Sequence, residues 1–131
     1  MNLTINARTI PHSKQRYETV GDWHYERADD ELIITVWMSR LQNINHTILL
    51  AMHEITEAYL CWQSGLSPKT VTDWDLQWPT SNDPGALPLC PYREEHQSGE
   101  LMERMMARLL SIDWLAYEAA LDGVSNATSR D

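Results

Sequence analysis

Cysteine, basic residues and long apolar runs are all scarce in this sequence of 131 residues. The two cysteines, Cys61 and Cys90, are too few for a disulfide framework and indicate reduced thiols in a cytoplasmic protein. No apolar run reaches the roughly 18 residues of a membrane-spanning helix, and the N-terminus lacks the basic-then-apolar order of a signal peptide. Ten Lys and Arg against nineteen Asp and Glu give a net charge of −9. That charge argues against general binding to nucleic acid or to anionic membranes.

The apolar fraction of 43% is enough for a real core and too high for a disordered acidic chain. Phenylalanine is absent, so the six Trp and five Tyr supply aromatic rings that each carry a polar atom needing a partner when buried. At this length we expect a single domain over residues 1–131.

The first third of the chain predicts a β-hairpin. Apolar or long side chains alternate with polar ones from Gly21, and the run ELIITVWMS at residues 31–39 is rich in β-branched and aromatic residues. Asp29-Asp30 supplies the turn between them. A hairpin is marginal alone, so we expect it to pack on another element. Residues 1–16, polar and interrupted by Pro11, are expected to form an N-terminal arm or a short edge element.

A long amphipathic helix is predicted from Asn45 to the glycine stop at Gly65, with Asn43 or Asn45 as the N-cap. Residues 66–91 hold five of the six prolines and two Trp, which predicts an ordered, packed loop.

A second long helix is expected to begin near Pro91, since proline suits a first helical turn. Asp113 can cap a last short helix over residues 114–121, followed by a frayed polar tail at 123–131. The fold class predicted is therefore α+β: an N-terminal hairpin packed on a central helix, an ordered Pro/Trp-rich loop and C-terminal helices.

The central helix carries HEITE, residues 53–57. His53 and Glu57 are four residues apart, so both side chains leave one helix face and can bind one metal ion together. Glu54 is about 100° around the helix and close enough to activate a water. The H-E-x-x-H zinc hydrolases use the same logic, with a His where this chain has Glu57. Apolar residues flank HEITE on both sides, which indicates a partly buried site where carboxylates need partners.

Further ligands should come from outside this helix. His96, near the start of the second long helix, is the best third ligand, and Glu95 beside it is a weaker candidate. Asp73 and Asp75 could orient a ligating His or bind a hard cation. Cys61 lies one turn beyond Glu57, and a site closed by Cys61 or by an Asp would be structural, because catalysis requires an open coordination position.

Other groups are assigned ordinary roles. We expect solvated surface positions for five acids: Glu26, Asp29, Asp30, Glu103 and Glu118. Three methionines could support a homodimer through a helix, although a packing role in the core suits them better: Met102, Met105 and Met106.

Taken in order, the segments DW…ELIITV, LLAMHEITEAYLC, VTDWD, DPG…PYREEH and SIDWLAYE resemble an uncharacterised phage and prophage protein family. The resemblance covers roughly residues 16–117, and that family is similar to small zincin-like metallohydrolases. It implies His53, Glu57 and His96 as ligands of Zn²⁺ or another divalent cation, and Glu54 as the base that activates water. It also implies a protein in the cytoplasm of a bacterial host.

Two other resemblances keep alternatives open. HEITEAYL is similar to the H-D-x-x-E-A-Y segment of HD-type phosphohydrolases, and the two E-x-x-E pairs at residues 54–57 and 100–103 are similar to those of helical nucleotide pyrophosphatases. The sequence thus predicts a metal-dependent hydrolase acting on a small-molecule or peptide substrate. The alternatives are a nucleotide phosphohydrolase, and a non-enzymatic phage accessory or binding protein that uses the hairpin and exposed Trp for contacts.

Overall fold

A computed structural model describes residues 1–81 and 83–129 of the chain. The predicted α+β class is confirmed: a three-stranded mixed sheet at the N-terminus is followed by four helices. The strands are β1 (Asn2–Ile10), β2 (Gly21–Ala28) and β3 (Glu31–Ser39); the helices are α1 (Ile44–Gln63), α2 (Pro68–Leu76), α3 (Arg93–Leu109) and α4 (Trp114–Ser129). In the described residues, no helix is both long and apolar enough to cross a bilayer.

The sheet has the order β1-β3-β2. Strands β2 and β3 pair antiparallel around the Asp29-Asp30 turn, which confirms the hairpin. Residues 2–10 do not form an arm: β1 pairs in parallel with β3 along its whole length, from Asn2 opposite Glu31 to Ile10 opposite Ser39. Of the two expectations for this segment, an arm or an edge element, the edge element is therefore correct. Without β1, one side of β3 would carry a row of unpaired backbone groups. A largely polar strand suits an edge position.

Helix α1 lies between the sheet and α3. Its N-cap is Asn43, whose side chain accepts a hydrogen bond from the backbone N–H of Asn45, and Gly65 follows its end with a φ of 76°. Alternate side chains of β3 are buried against this helix, as period-two patterning predicts. The core between them includes Leu32, Ile34, Val36, Met38, Leu50, Ala51, Ala58 and Cys61.

In the described part of residues 66–91, the predicted loop is interrupted by a helix and a 3₁₀ turn. Ser67 accepts a hydrogen bond from the backbone N–H of Thr70 and caps α2, with Pro68 in the first turn. A short 3₁₀ turn follows at Pro84–Ala86, and the Trp74 indole donates to the Pro84 carbonyl at 2.9 Å. Sequence reasoning missed α2 because prolines suggested a loop, whereas Pro68 lies in the first helical turn, where N–H groups have no intrahelical acceptor.

Helix α4 begins at Trp114 as predicted, whereas α3 begins at Arg93, so Pro91 precedes the Tyr92 N-cap and is not in the first helical turn. Asp113 accepts a hydrogen bond from the backbone N–H of Leu115 at 3.0 Å and so caps α4. The helix continues through residues 123–129, where we expected a frayed tail, because no proline interrupts its backbone ladder and Gly123 is tolerated within it. The rest of the predicted tail, residues 130 and 131, lies outside the described residues.

Candidate metal centre

Three side chains from two helices meet at one point. His53 Nε2 and Glu57 Oε2, both on α1, are 3.1 Å apart. His96 Nδ1, from the start of α3, lies 2.8 Å from the same Glu57 oxygen and 3.3 Å from His53 Nε2. We call these three atoms the donor cluster. The structure therefore brings together the three residues that the sequence proposed as ligands.

The spacing of the donor cluster suits a small divalent cation. Two ligand atoms at 2.0–2.2 Å from a tetrahedral zinc ion are separated by roughly 3.3–3.6 Å. The three distances in the cluster lie within roughly half an ångström of that edge. One carboxylate oxygen and two imidazole nitrogens are also a donor set that zinc accepts.

The outer nitrogen of His53 is held by a buried carboxylate. Glu103, on α3, places Oε1 2.8 Å from His53 Nδ1, and the hydroxyl of the fully buried Tyr117 donates to its Oε2 at 2.5 Å. An ionised carboxylate only accepts hydrogen bonds, so Nδ1 carries a proton toward Glu103, and a cation at the cluster would bind Nε2 in place of the proton shared with Glu57. Carboxylates orient metal-ligating histidines in this way.

His96 is oriented from the opposite side. Its Nε2 lies 2.8 Å from Oδ1 of Asp83, which immediately precedes the 3₁₀ turn. That contact fixes the proton on Nε2 and leaves Nδ1 free to face His53 and Glu57. The two imidazoles thus aim their inner nitrogens at one carboxylate oxygen, and either protons donated to Glu57 or a cation can lie between them.

Glu57 is tied to the sheet. The indole of Trp23, on β2, donates to Glu57 Oε1 at 2.9 Å, which turns the other oxygen toward the two histidines. Burial alone would raise the Glu57 pKa, but hydrogen bonds from His53 and His96 outweigh it and lower the pKa to about 2. The site therefore holds a stable negative charge at its centre.

Both histidines favour positive charge. Burial lowers the His53 pKa, but the hydrogen bonds to Glu103 and Glu57 dominate and raise it well above its usual value. For His96, the contacts with Asp83 and Glu57 overcome burial and raise the pKa to about 10. Protons therefore occupy the donor cluster readily when no metal ion is present, and a cation competes with them for the same atoms.

Glu54 lies beside the cluster without a partner. It is 8% exposed and has no hydrogen bond or ion pair with any described residue. Burial and the nearby charge of Glu57 raise its pKa well above the usual value for a carboxyl. A buried, unpaired carboxyl with a raised pKa is the kind of group that serves as a general base near neutral pH.

Glycines make room for three of these side chains. A Cβ at Gly21 would lie 2.3 Å from Glu54 Oε1, and one at Gly85 would lie 2.5 Å from His96 Cγ. At Gly99 it would be 3.1 Å from the His53 carbonyl oxygen, so this glycine, which weakens α3 in isolation, lets α3 approach α1 closely. At each of these positions, a glycine leaves room for a residue of the site that a side chain would crowd.

The donor cluster opens into a cavity of about 450 Å³. The cavity is bounded by β2, α1, α2, the 3₁₀ turn, α3 and α4, and Glu54, His53, Glu57 and His96 all line it. A volume of this size fits a small organic ligand.

Four weaker candidates do not join the cluster. Asp75 lines the cavity, but it is not part of the cluster, because its carboxylate accepts hydrogen bonds from Tyr17 and Tyr92. Asp73 is exposed and pairs with Lys69, and Cys61 is fully buried in the core as a free thiol. Glu95 is half-buried on α3 and outside the cavity lining.

Sequence reasoning missed the residues that orient the cluster. Glu103, expected on the solvated surface, is 6% exposed and holds His53; Asp83 holds His96. One signal was available: His96, Gly99 and Glu103 follow a 3/4 spacing, so a single face of α3 carries a ligand, a small residue and an acid. Nothing in the sequence pattern marked Asp83.

Comparisons of the chain with protein-family models, with curated proteins and with solved structures found no match. The resemblance to a phage and prophage family stays a prediction.

Proposed function

We propose that the protein is a metal-dependent hydrolase, in which His53, Glu57 and His96 hold a zinc-type divalent cation. One observation carries the proposal: two imidazoles point their inner nitrogens at a common carboxylate oxygen, while a separate carboxylate holds the outer nitrogen of each ring. A surface histidine needs no such arrangement, and metal-ligating histidines have it almost without exception.

The number of ligands supports a catalytic rather than a structural ion. Structural zinc sites are closed by four protein ligands, whereas catalytic sites keep a position for water or substrate. Within the part of the chain that the structure describes, the donor cluster has three members and faces a cavity. Cys61, which could have closed the site, points into the core.

The chain's own residues would then have separate roles in hydrolysis. A divalent cation in such a site lowers the pKa of water and polarises the bond to be cleaved. Glu54 accepts the proton of the attacking water on its carboxylate and passes it to the leaving group. Asp83 and Glu103 keep the two imidazoles in the tautomers that bind a cation.

Elemental analysis of protein purified without chelator tests the metal site. We expect about one zinc-type ion per chain in the wild type, and loss of the ion in both His53→Ala and His96→Ala. His24→Ala is the matched control. This variant should retain the metal, because His24 lies exposed on β2. Sub-stoichiometric metal in the wild type, or full metal in both site variants, would refute the proposal.

Glu54→Gln tests the chemistry separately. With the metal-loaded protein and a panel of nitrophenyl esters and nitroanilides, we expect hydrolysis to fall by roughly 100-fold or more with the metal content unchanged. Glu26→Gln, on the exposed part of β2, is the control for loss of one carboxylate. If Glu54→Gln keeps both its metal and its activity, Glu54 is not the base.

A further inference from the structure

The cavity beside the donor cluster is strongly acidic. Nine carboxylates line it against two histidines, and no lysine or arginine does so among the described residues. A concave surface in which one sign of charge predominates focuses the field and concentrates ions of the opposite sign. The cavity therefore differs in kind from a phosphate-binding pocket, which needs Arg, Lys or a helix N-terminus.

Most of these carboxylates have partners inside the protein. Asp22 is paired with Arg16, and Glu100 with Arg104. Three others contact the histidines of the donor cluster: Glu57, Asp83 and Glu103. Asp75 accepts hydrogen bonds from two tyrosines. These groups are neutralised or satisfied without a ligand.

Three lining carboxylates are left over: Glu54, Glu118 and Asp122. Glu118 and Asp122 are exposed and four residues apart on α4, so they form a like-charge pair at the cavity rim. None of the three has a hydrogen bond or ion pair with another described residue. Like charges at this spacing destabilise a helix slightly, so nothing in the fold itself requires them there.

Glu54 is a further feature of the cavity that lacks a partner in the part of the chain that the structure describes. It is more than nine-tenths buried, lines the cavity and has no partner among the described residues. A single divalent ion would be balanced largely by Glu57 and by the carboxylates that hold the histidines. Negative charge therefore remains in the cavity beyond what the ion needs.

We infer that the substrate carries a positively charged amine or guanidinium, which lies against Glu118 and Asp122 while the bond to be cleaved faces Glu54. This inference rests on the proposed function for the chemistry but not for the charge preference. The same charge distribution disfavours phosphorylated substrates, and with them the nucleotide phosphohydrolase alternative.

Calorimetric titration with matched small amides tests this inference. The probes are Nα-acetyl-lysine methylamide, its neutral analogue Nα-acetyl-norleucine methylamide, and inorganic phosphate. We expect the lysine compound to bind roughly tenfold more tightly than the norleucine compound, and phosphate not to bind to the protein stripped of metal. The preference should shrink between about 0.05 and 0.5 M NaCl, because salt screens charges at the rim.

The double variant Glu118→Gln/Asp122→Asn should reduce the preference to roughly twofold or less. Both side chains are exposed, so the fold should survive, and Glu94→Gln on the exposed side of α3 is the control. Equal binding of the two amides, no binding of the lysine compound at millimolar concentration, or an unchanged preference in the double variant would overturn the inference. The metal content of the same samples is measured in parallel. A protein without metal that still prefers the lysine compound would refute the proposed hydrolase alone.

Discussion

The carboxylate of Glu103 holds Nδ1 of His53 at 2.8 Å, on the side of the imidazole opposite the donor cluster. The two residues are 50 positions apart, on α3 and α1, and both are buried. This contact sets the tautomer of a proposed ligand without itself touching the metal position.

Glu103→Gln should weaken zinc binding by about 10- to 100-fold, because an amide holds the His53 proton less strongly than a carboxylate. The dissociation constant is measured by competition with a chromophoric chelator. Glu94→Gln, an exposed acid on the same helix, should leave it unchanged. Equal affinity in Glu103→Gln and the wild type would mean that Glu103 has only a packing role.

Tyr117→Phe should destabilise the fold by about 1–3 kcal/mol, since it leaves the buried Glu103 Oε2 without its hydroxyl donor. Urea denaturation gives the free energy of unfolding. Tyr59→Phe is the control, because the Tyr59 hydroxyl accepts its hydrogen bond from Gln63 at the surface. A loss no larger than that of the control would show that Glu103 is satisfied without Tyr117.

Gly21→Ala should reduce hydrolysis while leaving the metal content intact. The new methyl would sit 2.3 Å from Glu54 Oε1, and the end of that side chain must move away. Displacing a general base by about 1 Å can cost on the order of 100-fold in rate. Gly123→Ala, in α4 where a Cβ meets no atom of the described residues within 4 Å, should keep activity and add about 0.4–1 kcal/mol of stability. Full activity in Gly21→Ala would contradict the assigned position of Glu54.

Ionisation of Asp75 should lower the free energy of unfolding as the pH rises from about 4 to about 6. Burial raises its pKa from 3.8 to about 6, against the hydrogen bonds from Tyr92 and Tyr17. The folded protein therefore binds this proton more tightly than the unfolded chain does, and ionisation at higher pH costs roughly 2–3 kcal/mol.

Asp75→Asn cannot ionise, so the wild type should lose stability relative to this variant across that interval. Urea denaturation at pH 4 to 7 measures the difference, with the exposed Asp73→Asn on the same helix as control. A difference that stays constant, or that grows in favour of the wild type, would contradict the raised pKa.

Local pattern was enough to predict much of this fold. The bounds of β3 follow from its β-branched run, and those of α1 from an asparagine cap and a glycine stop. Helical spacing alone put His53 and Glu57 on one face. The predictions that failed concern contacts between residues far apart in the sequence. Nothing in residues 2–10, for example, indicates that they pair in parallel with β3.

The same limit applies to the candidate site. Glu103 looks like surface in its own helix and is buried only because α4 covers it with Tyr117. Asp83 reaches His96 because the 3₁₀ turn folds back over α3, which no spacing in the sequence shows. Tertiary packing decides which residues orient the ligands. A single sequence can therefore indicate the ligands themselves but not the residues that hold them in position.

The donor cluster takes two atoms from α1 and one from α3. An unfolded chain keeps His96 some 39 positions from Glu57 and cannot offer all three donors to one ion. Any cation bound there would therefore act as a cross-link that exists only in the native state, and its binding free energy would add to the resistance to unfolding. At a free ion concentration 100 times the dissociation constant, the gain is about 2.7 kcal/mol. Metal supply would thus regulate how long the protein persists as well as what it does.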